Sequence, residues 1–535
     1  MRLNFLYPAV LLASCAALLY GNFLSNPLVF DDMYFFLAGE PEKFVAAGPQ
    51  FSLRWWVYYS LGLTFVHLGP ELIWFRLGNL LLHIAAALAL YAFIRRMLVD
   101  LGGCRPGKLS PTWAALLSAL LFVLHPVAVF GAGYLIERTI VVATLFAILT
   151  WLSFWKGLQG SRGWLWVSVA FYLLAVFSKE HAIMAPAVCA ALAVLHRRSG
   201  IPSFIRIKEL AGVFGAYGLI ALQVLLMAKG YIGSTYELNA PEMLAAMPEV
   251  PKDQAYLLSV LTQAGLFFKY LLLWALPNGL WMSADMREPF VMSWATPLPW
   301  VMLAAFLAYP VAAARLLWRG GERGMIGLAL LAPWLLFATE LSTVRLQEIF
   351  VLYRSYLWAP PLFLMLALAI GRLTKNGAIM LGALLSVAFF ALSFDQLTNF
   401  SHPYLLWNDA ARLAEPKAGQ PGVTGLERIY HNRGLALHRA GFATKAVEDY
   451  DRALAIEPDN GFVHNDRGAA RFDLKDFQGA LEDFDQAIRL NPGYIRPYAG
   501  RARTLKFMGR HFEATEAFRI ACHKGWAEAC REYSK

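Results

Sequence analysis

Charge is scarce in this chain. Only 16% of its 535 residues are Asp, Glu, Lys or Arg, against 58% apolar residues. With a mean hydropathy of +0.48, that scarcity excludes a soluble protein along most of the length and implies a polytopic membrane protein. The formal net charge of +10 does not call for a nucleic-acid partner, because it sits in short connections such as Arg95-Arg96, His196-Arg197-Arg198 and the 319–323 stretch. That is the positive-inside bias of membrane loops. Cysteine is sparse too. Of five, Cys15 and Cys189 lie in apolar runs and Cys104 in a basic loop, so no metal-ligand or nucleophile spacing arises. A cleavable signal peptide is not evident, since the first apolar run is long enough to span and lacks a small-residue cleavage site.

What the chain does have is long apolar runs. Eleven reach spanning length, near 5–24, 71–94, 112–130, 139–156, 163–178, 181–196, 209–228, 296–317, 324–341, 351–370 and 377–394. The short 181–196 run reads as half of a helical hairpin. Basic connections at 95–108, 156–162, 196–208, 318–323 and 372–375 place one face in the cytosol, which puts the 25–70 loop and the C-terminus on the other side. The apolar 257–277 segment carries Lys269 in its middle and reads as a re-entrant or interfacial helix, since a full span would break the parity of all the later spans. The expected architecture is all-α: a membrane helical bundle over 1–396, a linker over 397–426 and a helical solenoid over 427–535.

The solenoid is read from a 34-residue period. Gly434, Gly468 and Ala502 align, as do Ala446, Ala480 and Ala514, then Tyr450, Phe484 and Phe518, then Ala453, Ala487 and Ala521. Pro458 and Pro492 close two repeats, and Trp526 fills that slot in the third. Small residues where helices cross, an aromatic filler and a helix-ending proline make the tetratricopeptide pattern. Its concave face commonly holds an extended peptide, although such a solenoid also serves as a purely structural cap. Cys522 and Cys530 lie eight residues apart, about 12 Å along a straight helix, so a disulfide between them requires a turn, as Gly525 suggests.

Polar residues beside the apolar runs carry the chemistry. Asp31 and Asp32 come just after the first span, past the break at Ser25-Asn26-Pro27. By charge topology they share a face with His125, Glu137, Arg138, Lys179, Glu180, His181, Lys269, Tyr270, Asp285, Glu348, Arg354 and Tyr356. Singly these read as ion pairs, snorkelling side chains and helix caps, and the aspartates as a solvated loop. Together they offer acids and cations at one membrane face. Cations there suit a lipid-linked phosphate, and an acid beside them can deprotonate a hydroxyl acceptor.

The strings NPLVFDD (26–32), LHPVAVFGAGYLIER (124–138), SKEHAIMAP (178–186), FKYLLLWALPNGLWMSAD (268–285) and EIFVLYRSYLWAP (348–360), with the repeats behind them, resemble the transmembrane and tetratricopeptide repeat-containing O-mannosyltransferases. Those belong to the GT-C superfamily of glycosyltransferases, which use polyprenyl-phosphate-linked sugars. Two departures stand out: three repeats where the eukaryotic proteins carry more, and no acidic residue soon after His125-Pro126-Val127. Compactness and the cysteine-bearing last repeat point to a bacterial relative in the inner membrane, with the repeats in the periplasm and undecaprenyl phosphate as carrier. In a eukaryote the same reading gives the ER membrane, luminal repeats and dolichyl phosphate.

The resemblance implies an inverting transfer of one sugar to a hydroxyl, on protein Ser/Thr or on another glycan or lipid. It makes Asp31 the best candidate for general base, with Asp32 orienting it or binding the acceptor or sugar, and the adjacency of the two leaves their order open. Arg138, Lys179, Lys269 and Arg354 are the candidate phosphate holders, with Lys269 and Arg354 ranked first. A divalent metal is compatible with this scheme but not required by it. A transporter is the other class to consider, but it usually shows inverted repeats, and none is visible in the membrane part.

Overall fold

A computed structural model of the chain describes residues 3–104, 108–202, 205–230, 232–235, 240–245, 247–346 and 348–533. Among these residues the regular elements are helices, and the only β-pairing is an isolated bridge between Thr235 and Val344. Two compact units emerge, one of residues 1–284 and 288–401, the other of 285–287 and 402–535.

In the first unit eight described helices are long and apolar enough to cross a bilayer, and a ninth crossing arises if Pro111–Val123 and Pro126–Ala132, bent by 64°, act as one. The count of eleven does not emerge from length alone, for local reasons. In 181–196 the first turn is a 3-10 helix, Glu180–Met184, and the regular helix Ala185–Arg198 keeps only 14 residues. In 351–370 a 3-10 turn, Leu352–Tyr356, and Pro360-Pro361 leave the ten-residue helix Leu362–Gly371. Ten residues rise about 15 Å, half a hydrocarbon core. Of the two readings of 257–277, the re-entrant one needs a break and Ala255–Ala275 has none: it is one unbroken helix of 21 residues, long and apolar enough to cross and equally suited to lie in the interface. Its Lys269 ammonium is ion-paired with Glu288, so the charge does not force the helix to stop.

The second unit is a row of antiparallel helix pairs: Leu426–Arg439 with Ala443–Ile456, Gly461–Asp473 with Phe477–Leu490, and Arg496–Phe507 with His511–His523. The period seen in the sequence is a packing rule. A Cβ at Gly434 would come within 2.8 Å of the Tyr450 ring, and one at Gly468 within 3.1 Å of Phe484. The expected linker is not one throughout. Pro403–Ala414 is a helix that buries Leu406, Trp407, Ala410 and Ala411, an amphipathic face that caps the first repeat.

Cys522 and Cys530 form a disulfide, their Cα atoms 4.6 Å apart. Gly525, at φ +97°, makes the turn between His511–His523 and the last helix, Ala527–Tyr533. Closing so short a loop removes roughly 2–3 kcal/mol of unfolded-chain entropy in the loop-closure picture. Cys522→Ser is therefore expected to lower the stability of the terminal repeat by about that amount. Hydrogen exchange of Ala527–Tyr533 reads it directly, and a reductant should bring the wild type to the same exchange rate.

Candidate active site at the helix ends

The chain entering the aspartate pair is pinned by one arginine. Arg76 donates to the carbonyls of Asn26 at 3.1 Å, Pro27 at 2.7 Å and Gly133 at 2.7 Å, tying residues 26–27 to the turn at the end of Pro126–Ala132. Phe30 then adopts φ 48°, ψ −125°, a conformation costly for a residue with a Cβ, and the short helix Asp31–Leu37 begins. The two aspartates part company here. Asp31 is exposed, with its backbone N–H donating to the Tyr134 hydroxyl at 3.0 Å. Asp32 is fully buried: its Oδ1 accepts from the Ile136 N–H at 2.7 Å, and its Oδ2 has no hydrogen-bond partner. Burial pushes the Asp32 carboxyl from 3.8 up to about 7, against the pull of Arg76.

That shift fixes the sign of a stability effect. The neutral form is the one the fold favours, so its contribution is complete below pH 4, falls as pH rises, and is lost once pH passes about 7. Asp32→Asn cannot ionise and keeps an oxygen for the Ile136 N–H. Its thermal midpoint should match that of the wild type near pH 4, pull ahead progressively up to pH 7, and hold a constant lead above it. A lead independent of pH would show that Asp32 is not held neutral.

Beyond the aspartates, the ends of several helices meet in a charged pocket of about 550 Å³. Arg54, Lys179, Glu180, His181, Arg345 and Arg354 line it together with the hydroxyls of Thr339, Ser342 and Thr343, and Ile183, Val224, Leu225, Ala228 and Ile232 add apolar surface. Arg54 is also left-handed, at φ 61°, held by its N–H to the Phe177 carbonyl at 2.8 Å. Its guanidinium grips both Glu180 oxygens, through Nε to Oε2 at 2.9 Å and through Nη2 to Oε1. Burial works to raise the Glu180 carboxyl, but Arg54 and His181 overcome it and hold the group well below the ordinary range. Lys179 reaches both Glu137 oxygens at 3.2 and 3.3 Å. Behind the pocket lies Glu340, wholly buried, whose Oε2 is 3.1 Å from Arg345 Nε and 3.3 Å from Arg354 Nη1. Arg354 Nη2 donates to Glu348 at 2.7 Å. His181 bridges two acids, its Nδ1 3.4 Å from Glu180 and its Nε2 3.2 Å from Glu340, though neither contact has hydrogen-bond alignment. Tyr353 joins the pocket to the aspartates: Lys179 lies 5.5 Å and Arg354 5.7 Å from its ring, which packs edge-on to Tyr134 at 6.0 Å.

Several sequence candidates fall elsewhere. Arg138 is buried, donates to Asn79 Oδ1, Ser60 Oγ and the Phe75 carbonyl, and does not line this pocket. Lys269 is outside the pocket lining and belongs to Glu288. His125 caps Pro126–Ala132 and stacks on Trp274 at 4.4 Å, beside an apolar pocket of about 860 Å³. Tyr270 ties down the Val351 backbone, Tyr356 bonds to buried His83, and Asp285 belongs to the second unit, where it pairs with Arg287. Conversely, sequence reading passed over Arg54, Glu340, Arg345, Tyr134 and Tyr353. Glu340 carried a usable signal: a carboxylate at the end of an apolar helix needs cations within reach, and Arg345 and Arg354 come soon after it in the chain.

Tetratricopeptide repeat models match residues 427–460 and 461–494. The chain is 28% identical over 252 residues to "Protein O-mannosyl-transferase Tmtc2" of Drosophila melanogaster, a match covering 42% of this chain and 26% of that protein. The repeats make up about a fifth of the chain, so this match reaches into the apolar part. It is also 35% identical over 83 residues to "Tetratricopeptide repeat protein 28" of Homo sapiens, covering 16% of this chain and 3% of that one. The chain thus spans a minor part of the length of both relatives. Among solved structures, the first tetratricopeptide domain of Spaghetti (RPAP3) bound to an HSP90 peptide is similar at 22% identity and TM-score 0.20, over 20% of this chain and 90% of that one.

Proposed function

We propose that the first unit is a membrane glycosyltransferase that moves one sugar from a polyprenyl monophosphate to a hydroxyl acceptor on the extracytoplasmic side. The observation that carries this reading is the exposed Asp31 carboxylate near a pocket lined by both basic and apolar side chains. A phosphate on a lipid tail calls for both kinds of lining. Asp31 takes the proton of the acceptor hydroxyl as its oxygen attacks the anomeric carbon, and the bond from that carbon to the phosphate oxygen breaks on the opposite face. The departing phosphate gains charge, which Lys179, Arg345, Arg354 and Arg54 stabilise, so no general acid is required. The Tyr134 hydroxyl accepts from the Asp31 backbone N–H and fixes where that residue starts its helix.

The Drosophila relative makes mannose the first sugar to test and a protein Ser or Thr the first acceptor. The repeats suit delivery of such a polypeptide by raising its local concentration. Basic loops on the other face and the Cys522–Cys530 disulfide, which needs an oxidising compartment, support the extracytoplasmic assignment. Mass spectrometry of extracytoplasmic proteins and glycans from cells with wild-type or Asp31→Asn protein tests the reading. Loss of a defined sugar mass names both the unit and its acceptor. Identical glycan profiles, with both proteins present in the membrane, would rule the transfer out.

A further inference from the structure

Two glutamates contact His181 from opposite sides, and their surroundings differ. Glu340 is wholly buried, is not part of the pocket lining, and lies against Arg345 and Arg354. Glu180 lines the pocket, with its side chain 26% exposed, and is the carboxylate among the described lining residues. We infer that the two have opposite tasks: Glu340 holds the arginine wall ready for an anion, while Glu180 occupies the anion's place on Arg54 until the donor arrives. This division rests on the reading of the pocket as the donor-phosphate site.

For Glu340 the reason is desolvation. A buried carboxylate surrounded by two guanidiniums cannot leave without stranding them, and it cannot be hydrated by an incoming ligand. It therefore fixes Arg345 and Arg354 in place with or without donor. For Glu180 the reason is geometric competition. Arg54 grips it with Nε and Nη2, the same two-pronged grip that a guanidinium offers to a pair of phosphate oxygens. A phosphate entering among Lys179, Arg345 and Arg354 brings like charge up to Glu180. Arg54 then exchanges one forked partner for the other, and Glu180 swings toward solvent while staying close to His181. Part of the donor's binding energy is spent on that exchange.

The consequence is a pair of substitutions with opposite signs, which a purely structural network would not produce. The probe is undecaprenyl phosphate, titrated into purified full-length protein in phosphatidylcholine nanodiscs, with undecaprenol as the uncharged control. Glu180→Gln should lower the Kd at least threefold, because the competing charge is gone. Glu340→Gln should raise it at least tenfold, with Glu340→Asp between it and the wild type. A Glu180→Gln protein that binds no tighter overturns the inference, as does a folded Glu340→Gln protein that binds like the wild type. If Glu340→Gln fails to fold, the sign of Glu180→Gln alone decides. Wild-type protein that does not distinguish undecaprenyl phosphate from undecaprenol overturns the donor reading itself, a separate outcome.

Discussion

Asp31→Asn is expected to reach the membrane at normal abundance and to transfer sugar at least about 100-fold more slowly than the wild type. The amide keeps the volume and leaves the backbone N–H on Tyr134, but it cannot accept a proton, and loss of a positioned base typically costs two to four orders of magnitude. Exposure makes the change safe for folding. Asp32→Asn should behave differently, because that side chain is buried and acts on stability and on the placement of the helix start. Single-turnover transfer from a labelled donor, together with thermal melting, separates the two. Equal transfer rates for Asp31→Asn and the wild type would remove this carboxylate from the chemistry.

The second large effect concerns Arg354. Its neighbours Glu340 and Glu348 need a positive charge, so Arg354→Gln should impair folding and transfer together and teach little. Arg354→Lys is the informative change. It keeps the charge but replaces a planar fork that touches two carboxylates with one ammonium on a flexible stem. The protein should fold, with transfer lowered roughly tenfold and the KM for donor raised. Full activity in Arg354→Lys would show that charge alone matters at this position and that no fork is used.

The repeats were readable because their sequence period is itself a steric requirement. Gly434 sits where the Tyr450 ring leaves no room for a Cβ, and Gly468 where the Phe484 ring leaves only a tight fit, so the spacing of small and aromatic residues is the packing written out. The Cys522–Cys530 pair was readable for a similar reason, since chain geometry alone demands the turn at Gly525. Spans were harder. An apolar run reports composition, and only the structure shows where Pro126 bends it or where Pro360-Pro361 shorten it. Site cations were hardest. Arg138 and Arg354 both stand beside apolar runs, and what separates them is the company the fold provides: Asn79, Ser60 and the Phe75 carbonyl absorb the first, while the second lines a pocket. Arg54 carried no motif of its own. Its importance lies in a left-handed backbone and a partner 126 residues away.

The way these charges are paired also bears on how the protein is made. Glu340, Arg345, Glu348 and Arg354 all come from one segment of 15 residues, and the ion pairs among them are closed within it. Glu137 and Lys179 flank a single helical hairpin, built from Arg138–Gln159 and Arg162–Ser178, and neutralise each other as soon as it closes. Each of these stretches of nascent chain thus brings its own counter-ions to the bilayer surface, and neither has to wait, carrying an unpaired buried charge, for a distant partner still on the ribosome. The His181–Glu340 contact joins the early stretch to the late one. The pocket is therefore completed last, when the late stretch arrives beside the early one.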